Sequence, residues 1–271
     1  MIIDVWGQIL TERMAKAPWL ASLLRWTQTA PSEIKLTVTD TLKAMDIADV
    51  DLMILSAWSS PSGFLISNEE LTAQIDQAPD RFRGFLSVDL SHPVQAVRTI
   101  HEHYDGERFV GVRVLPWVWD TPPNHARFYP IYAACVEVGA PFCTQIGHTG
   151  PLRSSDVGRL IPYLEDVLLD FPDLKIVGGH VGFPWIDELT SLTAKFPNLY
   201  VDTSAYALHR LPPNFIQYMK TIGRKRVMFG TNWPMISPDK SLSGLEHLNL
   251  DATHRSQFLS GIAQDVFQLK L

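Results

Sequence analysis

The stretch FPDLKIVGGH, residues 171–180, combines a short apolar run with a histidine close behind it. Lys175–Gly178 is predicted to be a buried β-strand, and His180 stands at its carboxyl end, with Gly179 before it and Gly182 shortly after it. Similar apolar runs alternate with segments of helical periodicity along the whole chain. The predicted strands are Ile2–Trp6, Leu52–Ser56, Gly84–Val88, Val110–Leu115, Phe142–Ile146, Lys175–Gly178, Leu199–Asp202 and Arg226–Gly230.

The predicted strands are almost continuously apolar, which is typical of parallel strands covered on both faces. Strands that alternate with helices require crossover connections, and eight such units predict an α/β fold, a single (β/α)8 TIM barrel. The 271 residues suit one such domain of about 250 residues, and no linker divides residues 1–271. An open doubly wound sheet is the alternative. No G-x-G-x-x-G follows the first strand, which counts against a dinucleotide-binding protein.

Composition narrows the class of protein further. The net charge is −6 and no basic run exceeds residues 224–226, which argues against a nucleic-acid partner. No apolar run approaches the roughly 18 residues of a membrane span, and the first residues lack a cationic leader. We therefore expect a cytoplasmic protein with no membrane association. Cys135 and Cys143 are expected to be buried structural thiols.

Polar and aromatic side chains collect where the predicted strands end, and in a TIM barrel the active site lies at that end. Aromatic walls with a few polar groups are typical of a ligand pocket. The predicted substrate-binding residues are Trp6, Gln8, Trp58, Arg113, Trp117, Tyr206 and Trp233.

Two histidines stand out because each follows a strand in a glycine-containing segment. His148 lies in TQIGHTG and His180 in IVGGHVG. Neither is well explained as core filling, and imidazole can move protons near neutral pH or bind a metal. We predict that His148, His180 and Asn232 are catalytic. The remaining histidines are interpreted as surface residues, with His209 the exception to watch: His92, His101, His103, His125, His209, His247 and His254.

Arg113 is the one cation within the apolar fourth strand. It has two interpretations: it binds a substrate carboxylate at the barrel mouth, or it forms a structural ion pair with Asp4 or Asp202. The tryptophans likewise either cap the barrel or form the wall against which an aromatic ligand packs.

The chain resembles the amidohydrolase-2 family, the branch that includes aminocarboxymuconate-semialdehyde decarboxylase and related aromatic-acid decarboxylases, hydratases and lactonases. The resemblance extends from Ile2 to about Phe267. It implies a TIM barrel and a small-molecule substrate. The blocks that carry it are Pro141–Gly150, Phe171–His180, Pro197–Ser204 and Val227–Pro234.

The family pattern is altered at its metal-binding positions. Members typically end strand one with Asp-x-His-x-His, whereas Trp6 and Gln8 occupy both histidine positions here. The resemblance matches His148 to the fifth-strand ligand, His180 to the sixth-strand acid/base histidine, and Asn232 to the strand-eight aspartate. Indole cannot coordinate a metal and amides are poor ligands. We therefore expect no metal cofactor, or a weakly held zinc on His148 and His180.

These substitutions favour a metal-independent hydrolase in which His148 or His180 acts as general base. Asn232 and Gln8 would polarise a carbonyl group, and Arg113 would bind a carboxylate. The expected substrates are small aromatic or carboxylate/β-keto compounds, acyl-CoA compounds among them. A decarboxylase of an aromatic or muconate-like acid is one alternative, and a non-catalytic ligand-binding barrel is another. A homodimer stays open.

Overall fold

The computed structural model describes residues 1–27 and 37–270, which form the predicted (β/α)8 barrel. Its eight parallel strands pair in the order β1-β2-β5-β6-β7-β8-β9-β10, and β3 and β4 form a separate hairpin. The strands are β1 Ile3–Gly7, β2 Leu52–Ser56, β3 Trp58–Ser60, β4 Gly63–Ile66, β5 Phe82–Leu86, β6 Phe109–Arg113, β7 Phe142–Gln145, β8 Ile176–Gly179, β9 Leu199–Asp202 and β10 Val227–Met228.

Helices surround the barrel and follow its strands. They are α1 Glu12–Ala15, α2 Leu20–Thr27, α3 Val38–Ile47, α4 Asn68–Ile75, α5 Pro93–His103, α6 Pro116–Trp119, α7 Tyr129–Val138, α8 Tyr163–Asp170, α9 Ile186–Lys195, α10 Pro213–Lys220, α11 Pro238–Leu242, α12 Ala252–Ser256 and α13 Ile262–Phe267. Within the described residues, none of them is both long and apolar enough to cross a membrane.

The barrel closes along a seam between β1 and the segment that follows β10. The amide of Val5 donates to Phe229 O at 3.1 Å, and the amide of Asn232 donates to Trp6 O at 2.9 Å. Gly7 pairs with Trp233 in a parallel bridge. The seam continues the parallel hydrogen bonding beyond the end of β10, so backbone hydrogen bonds to β1 hold the residues after β10 in place.

A buried carboxyl group reinforces this seam. Asp4 Oδ1 accepts hydrogen bonds from the amides of Trp6 and Thr231 at 3.0 and 2.9 Å, and Thr231 Oγ1 donates to Oδ2 at 2.6 Å. Burial raises the pKa of Asp4 to about 7, although these hydrogen bonds oppose the rise. The Asp4 carboxyl group therefore holds β1 against Thr231, and its hydrogen bonds are made within the seam.

Apolar side chains fill the barrel interior, and α13 closes its N-terminal end. Ring centroids of Phe85 in β5 and Phe267 in α13 lie 5.2 Å apart, and both rings are buried. Replacing such a ring by alanine typically costs about 3–5 kcal/mol. The C-terminal ends of the strands carry the polar residues, so the two ends of the barrel differ in role.

Several elements differ from the sequence-based prediction. β5 begins and ends two residues earlier than the predicted strand Gly84–Val88, and β10 is shorter than Arg226–Gly230. The β3–β4 hairpin was not predicted; its turn ends at Gly63, where a φ of 107° suits glycine.

The burial of the histidines and cysteines outside the barrel mouth can also be compared with the prediction. His254 is buried in α12, at 4% exposure, where a surface residue was predicted, because this face of α12 packs inward. His209 is exposed, and its ring Nδ1 lies 3.3 Å from Ser243 O. Cys135 and Cys143 are buried free thiols, and burial raises the pKa of Cys143 to about 12.

Candidate active site

Trp6 occupies the middle of the barrel mouth and is almost fully buried, at 1% exposure. Its ring lies 3.8 Å from the Arg113 guanidinium carbon and 4.6 Å, between ring centroids, from His180. A Cβ atom at Gly179 would come within 2.0 Å of Trp6 Cζ3. Glycine before His180 is therefore needed to admit the indole.

Arg113 lies beneath this indole, where it cannot meet a ligand at the mouth. Its guanidinium group is sandwiched between Trp6 and Phe85, and Nη2 donates to Val5 O at 2.9 Å. Burial lowers the pKa of Arg113 to about 10, while Asp202 and Asp4 oppose that shift from a distance. Its Nε and Nη1 have no hydrogen-bond partner among the described residues, so the predicted ion pair with Asp4 or Asp202 is not made as a direct contact. Its placement does not support the predicted substrate-carboxylate role, because the indole covers it.

His180 is held from behind by a serine. Its Nδ1 lies 2.6 Å from Ser204 Oγ, and its backbone amide donates to the same oxygen at 3.2 Å. Burial, Arg113 and His148 lower the pKa of His180 to about 3, so the imidazole is neutral at physiological pH. The backbone at His180 is left-handed, with a φ of 73°, a strained state that is common at functional sites.

His148 faces the same space from the end of β7. It is half-buried, and burial lowers its pKa below the ordinary value for histidine. Its backbone carbonyl accepts from Gln145 Nε2 at 3.2 Å, while Gln145 Oε1 accepts from Trp117 Nε1 at 2.8 Å. Both predicted histidines are therefore neutral near pH 7, and they are close enough that a positive charge on His148 would disfavour one on His180.

Gln8 and Asn232 meet across the seam. Gln8 Nε2 donates to Asn232 Oδ1 at 3.2 Å and also donates to Trp233 O. Asn232 adopts a left-handed backbone with a φ of 70°, which asparagine tolerates better than most residues. These two amides occupy positions where the family resemblance places metal ligands, and they bond to each other.

Aromatic rings form a wall beside the histidines. Trp19 stacks on Trp58 with centroids 5.9 Å apart, and its ring meets Trp117 edge-on at 5.1 Å. Trp58 and Trp117 were predicted, whereas Trp19 was missed because it lies before α2, far from any strand end. Trp233 turns away from the wall and donates to Thr41 Oγ1 at 3.1 Å. Tyr206 is half-buried, and burial raises its pKa to about 12.

The donor atoms at this mouth do not suit a divalent metal. Within residues 1–27 and 37–270, no three histidine, cysteine or acidic side chains are placed to hold one ion. Indole fills one ligand position, Asn232 Oδ1 already accepts from Gln8 Nε2, and Gln8 Oε1 is buried as a neutral amide oxygen with no partner among the described residues. The buried guanidinium of Arg113 adds positive charge close by, which opposes a cation. Among the described residues at this mouth, His148 and His180 are the good donors that remain.

The chain belongs to the amidohydrolase family, whose pattern matches residues 52–269. It is 23% identical, over 248 residues, to γ-resorcylate decarboxylase of Polaromonas sp. (strain JS666), with 75% of each chain covered. The family resemblance seen in the sequence is thereby confirmed.

Solved structures share the fold. A TIM-barrel protein from Bordetella bronchiseptica superimposes with a TM-score of 0.84 and 25% identity over 98% of both chains. A dihydroxybenzoic acid decarboxylase from Polaromonas sp. JS666 superimposes with a TM-score of 0.73 and 18% identity, over 98% of this chain and 96% of the other. That structure contains manganese and the inhibitor 2-nitroresorcinol. A divalent metal thus occurs within this fold.

Proposed function

We propose that this protein decarboxylates a small hydroxylated aromatic acid at the mouth that His148, His180 and Asn232 share. The observation that carries the proposal is the match to γ-resorcylate decarboxylase over three quarters of both chains. This favours the decarboxylase over the hydrolase that the altered metal positions suggested. The aromatic wall and the paired neutral imidazoles support the same class of substrate.

The site residues divide the work between binding and proton transfer. The substrate ring packs against the wall of Trp58 and Trp117, where offset or edge-on contacts are favourable. The Asn232 amide donates to a substrate oxygen, since its Oδ1 is already engaged by Gln8. His148 and His180 reach the reacting carbon and its neighbouring hydroxyl group.

Decarboxylation breaks the bond between the ring carbon and the carboxylate carbon, and a proton replaces CO2 on the ring. An ortho hydroxyl group lets that carbon accept the proton first, because the hydroxyl proton passes to the other histidine and the ring takes a keto form. The electron pair of the broken bond then restores the aromatic ring as CO2 leaves, and the phenolate oxygen takes that proton back. The apolar wall assists, because it solvates neutral CO2 better than the starting carboxylate.

We further propose that the reaction proceeds without a resident metal. The indole of Trp6 and the Gln8–Asn232 amide pair support this, because neither offers the charged or imidazole ligands that a divalent ion needs. The chemistry then falls to proton transfer by the histidines.

A metal-independent hydrolase of aromatic β-keto compounds is the second candidate. The 2.6 Å contact between His180 Nδ1 and Ser204 Oγ favours it, because a ring fixed at one nitrogen presents the other to a water molecule as a base.

One experiment separates the two candidates. The purified protein is incubated with a panel of ortho-hydroxybenzoic acids, including 2,6-dihydroxybenzoate and 5-carboxyvanillate, and with aromatic β-keto esters and thioesters. We expect CO2 release, and one solvent deuterium on the product ring in D2O. The double variant His148→Gln/His180→Gln is the control for adventitious activity. Acid release from the β-keto compounds without CO2 would instead establish the hydrolase, and binding without turnover would leave a ligand-binding barrel.

A further inference from the structure

Close polar contacts connect the barrel interior to the mouth through Asp202, Ser204 and His180. The Ser204 amide donates to Asp202 Oδ1 at 2.9 Å, and the Ser204 hydroxyl group lies near enough to this carboxyl group to lower its pKa. The same hydroxyl oxygen lies 2.6 Å from His180 Nδ1. Asp202 and Ser204 are fully buried, whereas His180 is not, and its Nε2 is neither enclosed nor bonded within the described chain.

His180 alone is a poor proton donor for the proposed reaction. An imidazolium there would be mostly shielded from water and close to the Arg113 guanidinium, and these two effects, together with His148, lower the pKa of His180 to about 3. Almost no imidazolium exists near neutral pH. A proton delivered from His180 must therefore be replaced on the ring as it leaves.

We propose that Asp202, Ser204 and His180 form a proton relay, in which the buried carboxyl group supplies the proton that His180 delivers at the mouth. This inference rests on the proposed decarboxylation for its purpose, though not for its test. Asp202 and Ser204 are positioning and relay residues, and His180 is the group that meets the substrate.

The relay has two states that differ by one proton. In the loaded state, the Asp202 carboxyl group donates to Ser204 Oγ, Ser204 donates to His180 Nδ1, and Nε2 carries a proton. Delivery breaks the Nε2–H bond, while Nδ1 takes the serine proton and Ser204 takes the carboxyl proton. Asp202 ends as an anion and His180 ends neutral with its proton on Nδ1. After the product leaves, a solvent proton returns by the reverse path.

Ser204 can make the bonds that both states require. Its oxygen accepts the His180 backbone amide throughout, which leaves one acceptor position and one donated proton. In the loaded state it accepts from Asp202 and donates to Nδ1. In the discharged state it accepts from Nδ1 and donates to Asp202.

The charges around Asp202 suit a group that changes protonation. Arg113 of β6 favours the anion, while Asp4 of β1 opposes it and the Cys143 thiol of β7 is un-ionised. Asp202 Oδ2 has no hydrogen-bond partner among the described residues. Burial is the largest effect and raises the pKa of Asp202 to about 6, so both states are accessible near neutral pH.

The test is the tautomer of His180, read by 15N NMR on histidine-labelled protein without substrate. The signal is assigned by its loss in His180→Gln. We expect the proton on Nε2 below a midpoint near pH 6 and on Nδ1 above it, with no imidazolium signal in that range. Asp202→Asn should hold the proton on Nε2 at every pH, because the asparagine amide imitates the protonated acid. Ser204→Ala should abolish the switch.

Thr144→Val is the matched control, since it removes a buried barrel hydroxyl group that has no partner in the described chain; it should leave the switch unchanged. A single tautomer across about pH 5–8 in the wild type, or an unchanged switch in Asp202→Asn, would overturn the relay. The two proposals fail separately. An intact switch without CO2 release removes only the decarboxylase, and CO2 release without a switch removes only the relay.

Discussion

Gln8 and Asn232 hydrogen-bond to each other, with Gln8 Nε2 3.2 Å from Asn232 Oδ1, although 223 residues separate them along the chain. The pair spans the point where the first and last strands of the barrel meet. A carboxylate and an imidazole at these positions would both turn to a shared cation. Here the two amides share one hydrogen bond instead, which uses neither Gln8 Oε1 nor the Asn232 Nδ2 protons.

Restoring charged ligands should restore metal binding. The variant Trp6→His/Gln8→His/Asn232→Asp supplies two imidazoles and a carboxylate beside His148 and His180. We expect near-stoichiometric manganese or zinc after dialysis, measured by elemental mass spectrometry, and substoichiometric metal in the wild type. Gln8→His alone is the control, because one added donor is too few. Stoichiometric metal in the wild-type protein would contradict the metal-free proposal.

The indole of Trp6 should be a large contributor to stability. Trp6→Ala is expected to lower the free energy of unfolding by about 3–5 kcal/mol, because it opens a cavity and uncovers the Arg113 guanidinium. Trp6→Phe should cost less, since a ring still covers the cation. Urea denaturation measures both. Leu152→Ala, at a side chain 75% exposed, should change stability by no more than about 0.5 kcal/mol. Equal losses in all three variants would refute the packing argument.

Loss of either mouth histidine should affect turnover far more than folding. His148→Gln and His180→Gln are each expected to lower kcat by about 10²- to 10⁴-fold, the usual contribution of an acid/base group. Thermal unfolding should change little, because both rings face partly open space. The exposed residue His247 provides the control, and His247→Gln should retain full activity. Full activity in both mouth variants would show that neither histidine is the acid/base group of the reaction.

Asp202 should make stability depend on pH with a definite sign. Its pKa is raised from 3.8 to about 6 on folding, so the folded state binds the proton more tightly than the unfolded state. Its contribution is fully present below about pH 4 and is lost as pH rises through 6. Relative to wild type, Asp202→Asn should therefore gain about 1–3 kcal/mol between pH 4 and pH 7.5.

Urea denaturation of both proteins at the two pH values measures that difference. His180 has a lowered pKa and acts with the opposite sign below pH 6.5, but it is present in both proteins and largely cancels. A pH-independent difference between them would show that Asp202 does not titrate in this range.

The sequence predicted the barrel because its signal repeats eight times, so an error of two residues at β5 did not change the topology. It also predicted that His148 and His180 meet, since strand ends of a barrel share one face. The sequence could not show how deep in the barrel a side chain near the end of a strand would lie. Arg113 and Trp6 both stand near strand ends, yet the guanidinium lies below the indole.

Other features depended on contacts between distant segments. Trp19 has no local signal that would assign it to the wall, because its position follows from α2 packing near the mouth. The Ser204–His180 contact joins the ends of two strands. The sequence around Ser204 does not show that its hydroxyl group bonds to the histidine; only the geometry does.

The seam between β1 and residues 229–233 also determines when, during synthesis, the barrel can close. The amide of Asn232 bonds to Trp6 O, and the Asp4 carboxyl group accepts both the amide and the hydroxyl group of Thr231, so these contacts join opposite ends of the barrel sequence. During synthesis the first strand therefore leaves the ribosome more than 200 residues before its partner exists. Pairing of such distant segments is slow, because a long loop must close first. Until the segment after β10 has been made, the Asp4 carboxyl group and the carbonyl group of Trp6 lack their native partners.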